Sequence, residues 1–576
     1  MGRAVPIIVR MAEPETAPAR KPAQADLSIT EFADLPAFHP PLSTRASSSQ
    51  PGAPDRRHLL RVALAVAGMH WLPRGAHAQT RWRFDPFGLG VASGSPAADG
   101  VVLWTRLLAP GVLDSMGTAP VPVRWEVADD EAFSRLVASG QTLATPELAF
   151  SVHAEVQGLA PDRWYFYRFI AGGIASPVGR TRTLPEPQAR VARLRLAYAS
   201  CQRWEHGLYG AYRHMREENL DLVLFLGDYI YEYPNAAAAV RNFPTLATVV
   251  SLADYRERHA LHRGDPFLQA MHAACPWIVT WDDHEVQNDY AGLLPGDGRP
   301  WGLNSAADFN ARRNAAYQAF YEHMPLRAAD FVRGNPPQAT HQVMLPRRYR
   351  FGQLADLVML DSRQWRDAQV CGNPQRRSGM VDPATCPALD DPSRTLLGAA
   401  QEQWFDQAMA QAGSGWTVIG QQTLFGRRIG RTASGERVWN DGWDGYGAAR
   451  RRLTDSLQRH RVRSPVLLGG DVHENWVGHV KADYARPESA NLGVEFCGTS
   501  ITSRSAGGEM AQRRLKDNPH FVFAEGTRRG YGVCEITPGA MRTTLRVLDD
   551  VTRADARIDT LASFAVLSGR PVVDRD

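Results

Sequence analysis

Four short segments concentrate the side chains able to bind metals or move protons. They are Ser200-Cys201-Gln202, Gly227-Asp228-Tyr229-Ile230-Tyr231-Glu232, Asp282-Asp283-His284-Glu285-Val286-Gln287-Asn288-Asp289 and Gly469-Gly470-Asp471-Val472-His473-Glu474-Asn475. Each follows an apolar run of strand length: 194–199, 222–226, 277–281 and 466–468. In α/β architectures ligands bind beyond the carboxyl ends of strands, so the four segments have to be read together. Taken singly, each has an ordinary structural use. A buried cysteine fills core, Gly-Asp turns the chain and Asp-Asp-His caps a helix. Together they offer carboxylate, imidazole, thiolate, phenol and amide groups, and turns have no need of histidine or cysteine. Mixed O, N and S donors are what a dinuclear metal centre requires: a carboxylate to bridge, imidazole for a transition metal, oxygens for a harder ion. The chain contains no C-x-x-C or H-E-x-x-H pattern, and Ser200 and Ser500 lack the G-x-S-x-G elbow of a serine hydrolase.

The elements that must hold these segments form two patterns. Residues 81–187 show short alternating or β-branched runs separated by turns (100–104, 121–127, 151–156, 164–170 and 178–182), which predict a small β-sandwich. Within it, His153 to Pro161 followed by Trp164-Tyr165-Phe166-Tyr167 looks like the late strands of a fibronectin-type-III domain, its aromatic run serving as core. Beyond Arg190, strand-length apolar runs (the four above with 354–360 and 416–420) alternate with helical patterns at 207–218, 306–323, 401–410 and 447–460. That alternation predicts a buried α/β core. Pro/Gly-rich stretches at 291–301 and 372–392 read as surface loops.

Composition narrows the class of function. At 576 residues, 44% hydrophobic and 22% charged, the chain has the balance of a globular protein and excludes fibrous and disordered readings. The net charge is +4, but residues 1–78 hold nine basic and six acidic side chains, leaving the remainder at +1. No basic stripe marks a nucleic-acid surface, so none is expected as a structural partner. Residues 1–54, rich in Pro, Ala and Ser, read as a disordered extension. Arg56-Arg57, an apolar run from Val62 to Leu72 and Ala76-His77-Ala78 follow, and residues 55–78 thus resemble a twin-arginine export signal. The expected location is periplasmic or secreted, reached through the twin-arginine machinery. The apolar run is too short to be a permanent membrane anchor. Cys371 and Cys386 bracket a loop and are the best candidates for a disulfide in an oxidising compartment.

Motif order makes a resemblance specific. Phe87 to Gly94, Val101 to Arg106, Ala199-Ser200-Cys201-Gln202, Gly227 to Glu232, Trp281-Asp282-Asp283-His284-Glu285, Leu360-Asp361-Ser362-Arg363, Asp441 to Tyr446, Gly470-Asp471-Val472-His473 and Val494-Glu495-Phe496 resemble the PhoD-type alkaline phosphatase family, within the metallophosphoesterase superfamily. The resemblance runs from Phe84 to about Val547. It implies a four-layer α-β-β-α core at 188–576 behind an N-terminal β-domain at 79–187. It also implies hydrolysis of phosphomonoesters, and often phosphodiesters, with a ferric ion and calcium. Carried over, Cys201, Asp228, Tyr231 and His473 would bind Fe3+, Asp228 would bridge to Ca2+, and Asp283 and Asp471 would complete the calcium side. His284 takes the place of the superfamily's catalytic histidine. Asn288 and Asn475 are added as metal ligands and Arg363 as a catalytic group, from their polarity near the site. The expected substrates are small phosphate esters. Two rivals remain: a phosphodiesterase or phospholipase-D-like enzyme on the same site, and a non-catalytic binding relative, against which the full set of ligands argues.

Overall fold

The computed structural model describes Trp82–Asp576 apart from residues 110–115, 236–238, 246, 297–304, 335–339, 374–376, 414 and 506, so the expected extension and export signal lie outside the described residues. The fold is mixed α/β. Strands Leu194–Ala199, Leu222–Leu226 and Trp277–Thr280 pair in parallel at the middle of a ten-stranded sheet. Strands Gly530–Ile536, Ala540–Leu548 and Ile558–Leu567 extend it on one side by antiparallel pairing. A seven-stranded sheet carries Arg347–Phe351, Ala355–Met359, Trp416–Gly420, Pro465–Gly469, Asn491–Cys497, Asn475–Lys481 and Phe521–Glu525 in that spatial order.

Successive strand residues face opposite ways, and the packing follows that period. Leu222, Leu224 and Leu226 join Leu194, Leu196 and Tyr198 in one cluster with Leu357, Met359, Val418, Val466, Leu468 and Phe496 of the seven-stranded sheet. Val223 and Phe225 point the other way, into a cluster with residues of helices Gly210–Glu217, Leu252–Arg263, Pro266–Ala274 and Ala306–His323. On the far face of the seven-stranded sheet, Val358, Ile419 and Leu467 pack with Phe405, Met409, Leu453 and Leu457 of helices Ala399–Ala410 and Gly447–Arg459. Burial on both faces explains why these strands read as unbroken apolar runs.

The N-terminal strands are built into this frame. Val91–Gly94, Gly100–Arg106 and Ser151–Gln157 continue the ten-stranded sheet, with Gly94 paired in parallel to Trp277. A Cβ on Gly94 would meet the Trp277 carbonyl and Pro325 Cγ at 2.6 Å, so the junction closes only around glycine. A five-stranded sheet holds Val121–Ala128, Leu136–Ala144, Trp164–Ala171 and Ile174–Ala175, with Gly179–Arg182 paired to Trp164–Ala171. Its Val123, Val127, Tyr165, Tyr167 and Phe169 pack against Val101, Leu103, Val152 and Ala154. Cys371 and Cys386 are disulfide-bonded, while Cys201, Cys275, Cys497 and Cys534 are free and buried.

Helix Leu252–Arg263 opens with a capping box, the Asp254 N–H donating to Ser251 Oγ at 3.2 Å and the Ser251 N–H to Asp254 Oδ2 at 2.8 Å. Its inward face is basic and aromatic. His259 is fully buried and stacks on His323 at 4.9 Å. Burial, with Arg106, Arg263 and Arg258 adding to it, holds the His259 pKa down at about 3. Below the ordinary histidine value of 6.5 the unfolded chain therefore binds a proton that the folded one refuses. Stability falls as pH drops from about 6.5 toward 3, and the loss at pH 5 is about 2 kcal/mol for this one group. Between pH 7 and pH 5 the thermal midpoint of His259→Gln is expected to fall less than that of the wild type. An equal fall would place the acid sensitivity elsewhere.

Candidate metal centre

The site forms where strands Leu194–Ala199, Leu222–Leu226, Trp277–Thr280 and Pro465–Gly469 end. Cys201, Asp228, Asp471 and His473 all take left-handed backbone, with φ of 60°, 58°, 63° and 57°. Such conformations cost non-glycine residues on the order of 1–3 kcal/mol each and cluster where function demands them. Gly227, at φ 109°, lets the second strand turn sharply, since a Cβ there would lie 2.5 Å from Asp282 Cβ. Glu285 staples the turns together by accepting N–H bonds from Tyr229 (2.7 Å), Asp282 (2.8 Å) and Asp228 (3.1 Å). Burial outweighs those bonds and raises its pKa to about 7.

Among the described residues, three sets bring their donor atoms within 4.8 Å of one another: Cys201, Asp228 and His473; Asp228, Asp283 and His284; Asp283, Asp289 and Asp441. Asp228 is common to the first two and Asp283 to the last two. Tyr231 belongs with the first, its hydroxyl 2.9 Å from Asp228 Oδ2 and 3.3 Å from His473 Nε2. His473 Nδ1 is bonded to the Arg504 carbonyl at 2.7 Å, which leaves Nε2 turned to the centre. His284 is oriented in the same manner, Nδ1 lying 2.7 Å from Glu232 Oε2. The structure thus brings together the predicted Cys201, Asp228, Tyr231, His473, Asp283 and His284.

The other expected residues are placed less directly. Asp471 accepts a hydrogen bond from Thr423 Oγ1 at 2.6 Å, and burial and then the Asp283 charge raise its pKa to about 6. Half-buried Asn288 donates its backbone N–H to Glu232 at 2.6 Å. The Asn475 side-chain oxygen accepts the Thr499 N–H at 3.1 Å, and its Nδ2 is buried without a partner among the described residues. Arg363 is fully buried among carboxylates: Nε bonds Asp282, Nη1 lies 2.9 Å from Asp441 and Nη2 3.4 Å from Asp283. It balances acidic charge at the floor of the site. Glu232, Asp289, Asp441, Ser503 and Arg504 complete the geometry without having been assigned roles from sequence. The first three stand inside or beside quoted motifs; Ser503 and Arg504 carry no motif at all.

Burial dominates the electrostatics. It raises the pKa values of Cys201, Tyr231 and Asp228, and lowers that of His473 to about 3. At His284 burial opposes the charged form, but Glu232, Asp228 and Asp283 outweigh it and raise the pKa. Glu232 shows the converse, burial working upward while His284 pulls it below the ordinary value. Asp228 Oδ1 and Asp283 Oδ1 are buried with no hydrogen-bond partner among the described residues. Unpaired carboxylate oxygens beside a thiol, a phenol and an imidazole in a low-dielectric site call for a cation, which these residues fit.

Two family models match the chain in order: "PhoD-like phosphatase, N-terminal domain" over residues 74–185 and "PhoD-like phosphatase" over 196–545. Alkaline phosphatase D of Bacillus subtilis (strain 168) is 44% identical over 531 residues, covering 88% of this chain and 87% of that protein. The solved structure titled "Structure of PhoD" superposes with a TM-score of 0.79 at 42% identity, over 86% of this chain and 92% of that one. The second family model spans the strand ends that carry the donors, from Cys201 to His473, and the chain belongs to the PhoD-like phosphatase family, an enzyme family of phosphoric ester hydrolases.

Proposed function

We propose that this enzyme is an exported alkaline phosphatase that hydrolyses small phosphate esters with a metal-activated water at an iron–calcium centre. The observation that carries the reading is the sharing of Asp228 between a thiol–phenol–imidazole set and a carboxylate set. Cys201, Asp228, Tyr231 and His473 would hold Fe3+; Asp228, Asp283 and Asp471 would hold Ca2+, with Asn288 and Asn475 on that side and Asp289 and Asp441 extending it. When bound, such metals acidify water and neutralise phosphate oxygens. The protein's part is positioning and proton transfer. Glu232 fixes His284 Nδ1 and favours its protonated form, so Nε2 presents a proton to the leaving alkoxide. Arg363 holds Asp283 and Asp441 in place and offsets their charge. Phosphoryl transfer is largely positioning and charge neutralisation, so no protein nucleophile is needed.

The architecture is read as a four-layer α-β-β-α catalytic domain over residues 188–576 preceded by a fibronectin-III-like domain over 79–187, of which Val91–Gly94, Gly100–Arg106 and Ser151–Gln157 join the ten-stranded sheet. Export to the periplasm or beyond rests on the twin-arginine pattern at 55–78. The Cys371–Cys386 bond supports it, since disulfides persist in oxidising compartments. Among the described residues, no helix is long and apolar enough to cross a membrane.

The test compares p-nitrophenyl phosphate with bis(p-nitrophenyl) phosphate before and after exhaustive chelation. Monoester turnover is expected to lead, to vanish with the metals and to return with iron and calcium. Faster diester turnover would assign the phosphodiesterase reading to the same site, and full activity without metal would overturn the metal-dependent one.

A further inference from the structure

The donors on the thiol–phenol side are held by a loop to which neither motif nor family match assigns a role. Ser503 Oγ lies 2.7 Å from the Tyr231 hydroxyl, donates to the Cys201 carbonyl at 2.8 Å and accepts the Arg203 N–H at 3.2 Å. The next residue, Arg504, supplies the carbonyl that fixes His473 Nδ1. This one turn therefore touches Cys201, Tyr231 and His473. Its own position is set by Arg529, which is buried. Arg529 Nη1 donates to the carbonyls of His473 (2.7 Å) and Ser503 (2.9 Å) and to Ser500 Oγ (3.2 Å), and Nη2 to the Gly526 carbonyl (2.8 Å). All four acceptors are neutral. The guanidinium fork thus serves geometry, tying the loop that presents His473 to the loop that presents Ser503.

We propose that Arg529 and Ser503 are positioning residues for the iron-side ligands, Arg529 locking the two loops in register and Ser503 fixing the Tyr231 phenol oxygen. The proposal rests on the iron reading above. Hydrogen-bond accounting gives the Ser503 hydroxyl a specific freedom. The Cys201 carbonyl also accepts the backbone N–H of Ser503 at 3.2 Å and of Thr502 at 3.4 Å. The hydroxyl can therefore turn its proton toward the phenol oxygen without leaving that carbonyl unpaired. Groups behind a metal ligand in this way typically change metal affinity or activity by about 10–100-fold when removed.

The experiment uses the full-length enzyme isolated with its native metals, as wild type, Ser503→Ala, Ser503→Thr, Arg529→Lys and Arg529→Met. Iron and calcium per chain, the visible spectrum, and kcat and KM for p-nitrophenyl phosphate are measured, with circular dichroism as the folding control. Ser503→Ala is expected to keep the fold and its iron while the charge-transfer band moves to longer wavelength, because the phenol oxygen loses a hydrogen-bond donor. Ser503→Thr should restore the wild-type band. Arg529→Met should lower kcat and iron retention by about 10–100-fold at nearly constant KM, with Arg529→Lys between. A wild-type band that Ser503→Ala leaves unmoved overturns the Ser503 role alone. A wild type with metal but no band overturns the ferric reading instead. In that case unchanged metal content and kcat in Ser503→Ala and Arg529→Met would overturn the positioning roles as well.

Discussion

Asp228→Asn is expected to abolish phosphate-ester hydrolysis and to deplete both metals at once, a loss larger than the 10–100-fold typical of groups outside the ligand shell. Asparagine preserves the shape of the side chain and tolerates left-handed backbone, so φ 58° at this position is kept and the fold survives. What changes is charge and donor count. Asp228 Oδ2 faces the Tyr231 hydroxyl while Oδ1 is buried without a partner among the described residues, and only a carboxylate offers an anionic oxygen in each direction. Elemental analysis beside an activity assay checks this directly. Substantial activity with full metal content would remove Asp228 from its bridging role.

His284→Ala is expected to lower kcat by about 10²–10⁴-fold, the range of a lost general acid, with the metal content largely intact. The Glu232 contact occupies Nδ1, and the ring lies face-near to Tyr231 at 4.2 Å, so the imidazole is held on two sides. Glu232→Gln should act in the same direction, because the negative charge is gone and a single amide oxygen cannot accept both the Nδ1 proton and the Asn288 N–H. If His284→Ala instead loses metal in proportion to activity, His284 is a ligand. Its place in the Asp228–Asp283 set makes that a real alternative outcome.

Much of the core was legible because its strands are buried on both faces. Leu194–Ala199, Leu222–Leu226 and Trp416–Gly420 stand where their apolar runs predict, as does helix Ala306–His323. Helix Leu252–Arg263 was not legible from apolar period, since the side chains it buries include Arg258, His259, His262 and Arg263. A face built of guanidinium and imidazole has no hydrophobic signature, although Ser251 and Asp254 mark its start. The pairing of Gly94 with Trp277 was also hidden, because a ladder contact between residues distant in sequence leaves no local pattern beyond a glycine. At the site, residues at strand ends were visible as chemistry. Glu232 and Asp441 were visible only as motif members, and Ser503 and Arg529 not at all, because their work is done through backbone carbonyls that any sequence supplies.

The absorption spectrum of the mature enzyme, purified after folding with its native metals, tests the iron–calcium reading most directly. A broad visible charge-transfer band whose phenolate component is lost in Tyr231→Phe is the predicted result, since the Tyr231 oxygen stands 2.9 Å from Asp228 and 3.3 Å from His473. Folded, metal-replete and active enzyme without such a band would contradict it, and would leave a phosphatase whose Cys201, Asp228, Tyr231 and His473 hold a colourless ion.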